Sequence, residues 1–196
     1  MPETSNYQKH ISRNPLQKFL IENFYKSLVC LAKPVRPVTV MDVGCGEGFT
    51  LIKLKQAKIG RTFEGIDHSD DALKLGKKLY PKLNIKKGDI YHLPYKDNAF
   101  DILVCTEVLE HLKKPHEALS EIKRVAKKYI ILSVPNEPFF ILANLLRGKY
   151  LGTFGNHPEH VNHWTSGTFK RFLRKNGLKI SCTRRPFPWI MVLARK

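Results

Sequence analysis

The chain has 196 residues, of which 42% are hydrophobic and 26% are charged. This composition is typical of one folded domain and excludes collagen-like, fibrous and low-complexity proteins. The longest apolar run, residues 139–146, is far shorter than the ~20 residues that a membrane-spanning helix needs, and residues 1–13 lack the apolar stretch of a secretory signal. The four cysteines are scattered without a C-x-x-C pair. The sequence therefore predicts neither a disulfide framework nor a cysteine zinc site, and it favours a cytoplasmic protein with reduced thiols.

The positive charge of the chain is concentrated toward its C-terminus. The chain has 34 Lys and Arg against 17 Asp and Glu, which gives a formal net charge of +17. Residues 138–196 contain eleven basic residues and one acidic residue, whereas residues 38–137 contain 17 and 14. Such an excess fits solvated helix faces, and it equally fits an anionic partner: nucleic acid, an acidic lipid surface or a phosphorylated small molecule.

The hydrophobic pattern predicts helices and strands in regular alternation. An amphipathic helix over residues 15–32, capped by Asn14, comes first. Short apolar runs bounded by turn residues then predict seven strands, over residues 38–43, 62–66, 84–87, 101–105, 129–134, 180–183 and 189–194. Further helices are predicted over residues 49–59, 70–80, 115–128, 139–146 and 165–176.

This alternation predicts an α/β, Rossmann-like fold. Strands that alternate with helices imply a mostly parallel sheet of seven strands, with helices on both faces. A Pro-rich turn joins the last two strands, so we expect a C-terminal antiparallel hairpin that makes the sheet mixed. Ligands of such sheets bind beyond the carboxyl ends of the strands.

A glycine-rich turn follows the first predicted strand, in the segment V-M-D-V-G-C-G-E-G over residues 40–48. Glycines there allow positive φ and a close approach of a ligand to the backbone. Their G-x-G-x-G spacing differs from the G-x-G-x-x-G of dinucleotide-binding proteins. Asp42 adds negative charge at the strand tip, which suits a cationic ligand better than a pyrophosphate.

Two more carboxylates follow the next two strands. Asp67 ends the second strand, 19 residues after Gly48, and a carboxylate there can accept both hydroxyls of a ribose. Asp89 follows the third strand and could accept the amino group of an adenine, whose ring Ile90 could cover. Each of these residues alone could be a cap or a turn residue, and it is the ordered set that predicts a nucleoside site.

Together these segments resemble the class I S-adenosylmethionine-dependent methyltransferases. More narrowly, they resemble the small-molecule group that includes the ubiquinone- and menaquinone-biosynthesis methyltransferases. The resemblance covers about half the chain, residues 38–136, and lies in residues 40–48, 66–67, 88–93, 98–105 and 107–111. Each motif is weak alone, whereas all of them in order are specific.

The resemblance implies that S-adenosylmethionine is the cofactor, and it implies a role for the matching residues. The strand-tip acid and the glycines would surround the amino-acid end of the cofactor, Asp67 would bind the ribose, and Thr106 would lie near the sulfonium. Asp89 and Ile90 would lie at the adenine. The complete predicted cofactor-binding set is Asp42, Gly44, Cys45, Gly46, Gly48, Asp67, His68, Asp89, Ile90 and Thr106.

Two polar segments are candidates for chemistry on the methyl acceptor. The segment E-x-x-E-H over residues 107–111 follows the fourth strand, and a helical conformation would place its acids and histidine on one face. Three histidines lie close together in residues 157–163. A hydroxyl acceptor needs a general base. We predict Glu107, His111 and His160 as catalytic residues, and a surface-loop position for His157 and His163.

The same side chains raise the question of a metal ion, because carboxylates with imidazoles suit Mg²⁺ or Mn²⁺. The E-x-x-E-H segment resembles one in quinone O-methyltransferases and in small-RNA 3′-terminal 2′-O-methyltransferases. In the RNA enzymes a histidine lies four residues before a tryptophan, as His160 and Trp164 do here. Many relatives without a metal share the segment, so no metal is predicted. The candidate ligands would be Glu107, Glu110, His111 and His160.

The primary prediction for function is methyl transfer from S-adenosylmethionine to an oxygen or nitrogen of a small-molecule or lipid-like acceptor, with room for an acidic group on it. An RNA methyltransferase, including metal-assisted 2′-O transfer, is the alternative, and a non-catalytic cofactor- or RNA-binding module is a third. We expect one domain over residues 1–196. It would comprise an N-terminal helical segment (1–37), a cofactor-binding core (38–137), a lid or acceptor region (138–164) and a closing helix and hairpin (165–196).

Overall fold

The computed structural model describes residues 4–146 and 160–196, and these form a seven-stranded mixed sheet. Its strands are β1 (Thr39–Val43), β2 (Thr62–Asp67), β3 (Asn84–Lys87), β4 (Phe100–Thr106), β5 (Ala126–Pro135), β6 (Lys179–Arg184) and β7 (Trp189–Arg195). The strand order is β3-β2-β1-β4-β5-β7-β6. Strands β1 to β5 are parallel, and β7 is antiparallel to both β5 and β6. The predicted Rossmann-like fold and its C-terminal hairpin are confirmed.

Helices cover both faces of the sheet. The described helices are α1 (Ser5–Ile11), α2 (Pro15–Ala32), α3 (Phe49–Gln56), α4 (Asp70–Leu79), α5 (Pro115–Val125), α6 (Glu137–Leu146) and α7 (Ser166–Lys175). Successive side chains of a strand point to opposite faces, so β1 contributes Val40 to one core and Met41 to the other. The first core packs against α2, α3 and α4, and the second packs against α5 and α7.

Helix α1 is the element that the sequence pattern did not predict. It has seven residues, none of which is buried, so no apolar periodicity marks it. Thr4 caps it by accepting a hydrogen bond from the Tyr7 backbone N–H. The helix is held by packing instead, because the His10 ring stacks on Phe49 with centroids 3.9 Å apart.

Two predicted helices are shorter than expected. Helix α3 ends at Gln56 because Lys58 and Gly60 have φ of 56° and 94°, which leave the helical region. Helix α5 ends at Val125 because residues 126–128, predicted as helical, start β5, where Ala126 pairs with Phe100.

The parallel strands all end at one edge of the sheet, which we call the carboxyl edge. The amino end of β7 also lies there, since Trp189 pairs with Pro135. No helix among the described residues is long and apolar enough to span a membrane, and all four cysteines are free thiols. Part of the predicted lid, residues 147–159 including His157, lies outside the described residues.

Candidate functional site

A cavity of about 1060 Å³ opens at the carboxyl edge of the sheet. The loops that follow β1, β2, β3 and β4 form one side of it, and α1, α2 and α6 contribute to the other. Of the predicted site residues, those that line the cavity are Gly44, Cys45, Gly46, Asp67, His68, Asp89, Ile90, Thr106, Glu107, Glu110, His111 and His160. The fold therefore brings together residues that are up to 116 positions apart in the chain (Gly44 and His160).

The glycine turn is shaped by close approaches that a side chain would block. Gly44 has φ of 76°, and a Cβ added there would lie 2.2 Å from the Val108 side chain. Its N–H donates to the Ile66 carbonyl at 2.8 Å, which ties the turn to β2. Gly48 does not line the cavity; with φ of 88° it starts α3. Gly46 faces more open space and is where a ligand can approach the backbone.

Asp67 and Asp42 are both buried below this turn but differ in their partners. The Asp67 carboxylate accepts hydrogen bonds from the backbone N–H of Gly46 at 2.7 Å and of Ser69 at 2.8 Å. Asp42 is 1% exposed and lies outside the cavity lining, and neither of its carboxylate oxygens has a hydrogen-bond partner among the described residues. Burial, with the Asp67 charge as a smaller cause, raises the pKa of Asp42 to about 8. A cationic ligand in the cavity would favour the ionised form of Asp42 and lower this pKa.

The Asp89 carboxylate lies at the exposed rim of the cavity. It accepts a hydrogen bond from the Tyr91 backbone N–H at 2.9 Å and contacts His92. These bonds hold the pKa of Asp89 below its usual value. The neighbouring side chain of Ile90 is partly buried against the core and lines the cavity.

Two buried carboxylates, Glu110 and Glu137, and the partly buried Glu107 lie at or beside the other end of the cavity. Glu107 has φ of 59°, so it is not part of a helix, and only Leu109–His111 form a single 3₁₀ turn. The predicted single helical face is therefore absent from this segment. The Glu107 carboxylate accepts hydrogen bonds from the Ser133 hydroxyl at 3.2 Å and from the Trp189 indole N–H. Burial raises the pKa of Glu107 to about 7, although the nearby Lys9 ammonium opposes the shift.

Glu110, His111 and His160 form a compact group. One ligand atom from each lies within 4.8 Å of the others, and the two imidazole centroids are 5.0 Å apart. Both carboxylate oxygens of Glu110 are buried, and within the described part of the chain neither has a hydrogen-bond partner. Burial, followed by the charge of Glu107, raises the pKa of Glu110 well above its usual value. Glu107 contacts Ser133 and Trp189 and is not a member of this group.

Sequence reasoning missed the third carboxylate, Glu137. It is 4% exposed and accepts a hydrogen bond from Nδ1 of His160 at 2.9 Å, while His163 lies 3.6 Å from the same oxygen. Glu137 starts α6, where an acid is common because it suits the helix dipole, so its sequence position did not mark it. Its place directly after β5, at the carboxyl edge, was the available indication.

Helix α1 also contributes side chains that the sequence did not indicate. Thr4 and Asn6 donate hydrogen bonds to the buried Glu47 carboxylate of the glycine turn. Lys9 and His10 line the cavity. The short N-terminal helix thus forms part of the wall.

Comparison with known proteins identifies this arrangement. Residues 41–132 match the family model described as a methyltransferase domain. These residues form a class I S-adenosylmethionine-dependent methyltransferase domain. The predicted family and fold are confirmed, and the same match supports S-adenosylmethionine as the cofactor of the domain.

Curated relatives share this domain over part of their length. An uncharacterised methyltransferase of Schizosaccharomyces pombe is 36% identical over 99 residues, which cover 45% of this chain and 36% of that protein. The ubiquinone biosynthesis O-methyltransferase of Glaesserella parasuis is 26% identical over 151 residues, which cover 65% of this chain and 62% of that protein. The chain thus spans less than two thirds of the length of these relatives.

A solved structure extends the likeness of fold to nearly the whole chain. The magnesium protoporphyrin IX methyltransferase of Synechocystis, solved with bound SAH, superposes with a TM-score of 0.71 at 20% identity. The match covers 94% of this chain and 89% of that one. At 20% identity the match shows a shared fold alone, and this shared fold extends beyond residues 41–132.

Proposed function

We propose that this chain transfers a methyl group from S-adenosylmethionine to a hydroxyl oxygen of an amphipathic, lipid-like acceptor. The observation that carries the proposal is the group formed by the buried Glu110 and Glu137 carboxylates and the His111 and His160 imidazoles at one end of the methyltransferase cavity. S-adenosylmethionine supplies an activated methyl group, so the protein has to position the acceptor and remove its proton.

The glycine turn and its neighbouring acids would hold the cofactor. Gly46 leaves space for it, Asp67 would bind the ribose through lone pairs that its backbone bonds leave unused, and Asp89 would meet the adenine at the rim. The unpartnered Asp42 carboxylate supports a cationic ligand, because such a ligand would stabilise the ionised form.

The rest of the cavity suits an acceptor with one polar end. Ile21, Phe24 and Phe140 line it and offer apolar contacts, whereas His160 and Glu110 would face the hydroxyl that loses its proton. Glu137 would fix the ring orientation of His160, because its carboxylate accepts a hydrogen bond from Nδ1 at 2.9 Å. This division of polar and apolar walls favours an amphipathic molecule over a uniformly charged one.

Glu110, His111 and His160 also fit a divalent cation. Their ligand atoms are close together, and the unpartnered Glu110 carboxylate needs a compensating charge. Such a cation would lower the pKa of the acceptor hydroxyl, and His160 would then be a ligand of the cation and not the proton acceptor. We expect Mn²⁺ or Mg²⁺ to raise the melting temperature of the protein, and Glu110→Gln to abolish the rise. Glu117→Gln, which removes an exposed acid from α5, is the control. An equal rise in both variants would mean that the ion binds elsewhere, and His160 would then act without a metal.

The cofactor half of the proposal is tested by calorimetry with S-adenosylhomocysteine. We expect wild-type protein to bind it and Asp67→Ala or Gly46→Arg to weaken binding at least tenfold, because they remove a ribose acceptor or fill the cavity. Asp71→Ala, in the exposed first turn of α4, should bind like wild type. Unchanged binding in both cavity variants would overturn the placement of the cofactor.

The acceptor is tested by following tritiated methyl groups into fractions of a cell lysate. The proposal expects the label in the lipid fraction. RNA is the second candidate, because residues 160–196 contain nine Lys and Arg and no Asp or Glu. Label in RNA alone would replace the lipid-like acceptor with a nucleic acid.

A further inference from the structure

The exposed apolar side chains of this protein are concentrated at one edge of the sheet. Eight large hydrophobic residues among those described are exposed, by 46% to 63%. One of them, Val38, precedes β1 at the opposite edge. The other seven lie on segments that border the cavity mouth: Ile11, Leu16, Phe19, Phe139, Leu142, Val161 and Phe187.

These seven side chains come from five segments that the fold places around the mouth: α1, α2, α6, the segment at Val161 and the β6–β7 turn. The first half of α2 carries Phe19, two residues before Ile21 and five before Phe24, which both line the cavity. Helix α6 leaves the carboxyl end of β5, and its Phe139 ring lies 6.0 Å from that of Phe187 in the β6–β7 turn. Val161 follows the cavity-lining His160, and its N–H donates to the Glu110 carbonyl at 2.8 Å. Apolar side chains distributed around an opening differ from the single contiguous groove that a partner helix would fill.

Exposed cations accompany these apolar residues. Lys9, Arg13 and Lys18 lie on or beside α1 and α2, and Arg184 and Arg185 precede Phe187. None of these five forms an ion pair with another described residue. The exposed acid in the same stretch of α2 is Glu22. Exposed apolar side chains beside these cations suit binding to an anionic bilayer. Its headgroups attract the cations, and the boundary of its acyl chains accepts the apolar side chains.

We propose that the carboxyl edge docks on an anionic lipid bilayer, so that the cavity mouth faces the membrane surface. A further step, that the acceptor enters the cavity from the bilayer, rests on the proposed function; docking itself does not. Each exposed apolar group at the edge would leave water on docking, and each cation would gain from the negative surface potential.

The test is co-sedimentation with vesicles, read without any methyl transfer. We expect wild-type protein to bind vesicles of phosphatidylcholine mixed with phosphatidylglycerol and to bind pure phosphatidylcholine vesicles far less. Phe19→Ser/Phe187→Ser and, separately, Arg184→Glu/Arg185→Glu should each weaken binding to the mixed vesicles by about tenfold or more. Binding should fall as salt rises.

Matched controls at the opposite edge separate docking from general charge attraction. Val38→Ser removes an exposed apolar residue there, and Arg61→Glu/Lys82→Glu makes the same change in charge at exposed positions. Both controls should bind like wild type. Equal losses in control and edge variants would overturn the proposal, as would absence of vesicle binding by a protein that still binds S-adenosylhomocysteine. The wild-type protein could instead bind RNA and not vesicles. If the Arg184→Glu/Arg185→Glu variant lost that RNA binding, the edge would be assigned to nucleic acid.

Discussion

Replacing His160 by alanine is expected to lower the rate of methyl transfer about 100-fold or more, the usual contribution of a positioned proton acceptor. His160 is 4% exposed in its side chain and is held by Glu137 at 2.9 Å, beside Glu110 and His111. Loss of the ring removes the acceptor-side polar group while leaving the glycine turn and Asp67 untouched. The measurement is the initial rate of methyl transfer into a lipid extract at saturating S-adenosylmethionine. Calorimetry of S-adenosylhomocysteine binding to the same variant checks that its cofactor site is intact.

His163→Ala is the matched control for this experiment. His163 approaches the same Glu137 oxygen at 3.6 Å, but half of its side chain is exposed. We expect its loss to change the rate by less than about threefold. Glu137→Gln keeps a hydrogen-bond acceptor for the His160 ring but removes its charge, so its rate should fall less than that of His160→Ala. Equal rates in the two histidine variants would contradict an acceptor-side role for His160.

The strands and the glycine turn could be predicted from the sequence because their determinants are local. Apolar runs and G-x-G-x-G spacing mark β1 and its turn whatever the rest of the chain does. The carboxyl-edge rule then places Asp67 and Asp89 near that turn without knowledge of any contact. Family membership follows from these same motifs in order.

The acceptor end of the cavity depends on contacts that no short window contains. Trp189 reaches Glu107 because β7 runs antiparallel to β5 and brings its first residue to the carboxyl edge. Glu137 meets His160 across 23 positions of chain. Helix α1 is stabilised by the stacking of His10 on Phe49 and not by an amphipathic pattern in its own sequence. For the E-x-x-E-H segment the sequence predicted the location but not the conformation. Glu110 and His111 line the cavity, although the expected helix does not form.

Replacing Asp42 by asparagine is expected to stabilise the ligand-free protein while weakening its binding of the cofactor. The Asp42 carboxylate is buried without partners and has a pKa raised from 3.8 to about 8. A group whose pKa is higher in the folded state contributes stability at low pH, and that contribution is lost as pH rises between these two values. Asparagine does not titrate, so the variant should be more stable than wild type by about 1–3 kcal/mol at pH 8 and should show less dependence of stability on pH.

The Asp42→Asn substitution should have the opposite effect on cofactor binding. If the ionised Asp42 carboxylate stabilises a cationic ligand, wild-type affinity for S-adenosylmethionine rises as pH increases toward 8, because less work is needed to remove the proton. The Asp42→Asn variant should bind about tenfold more weakly at pH 8, because it loses the electrostatic attraction of a buried carboxylate that lies behind the cavity lining. Urea unfolding and calorimetry across this pH range measure both effects, with the exposed Asp71→Asn as the control for the lost charge. A variant that gains stability yet binds like wild type would show that the buried carboxylate serves neither the fold nor the cofactor. A variant that gains stability and loses affinity would show that the carboxylate costs stability but contributes to ligand binding.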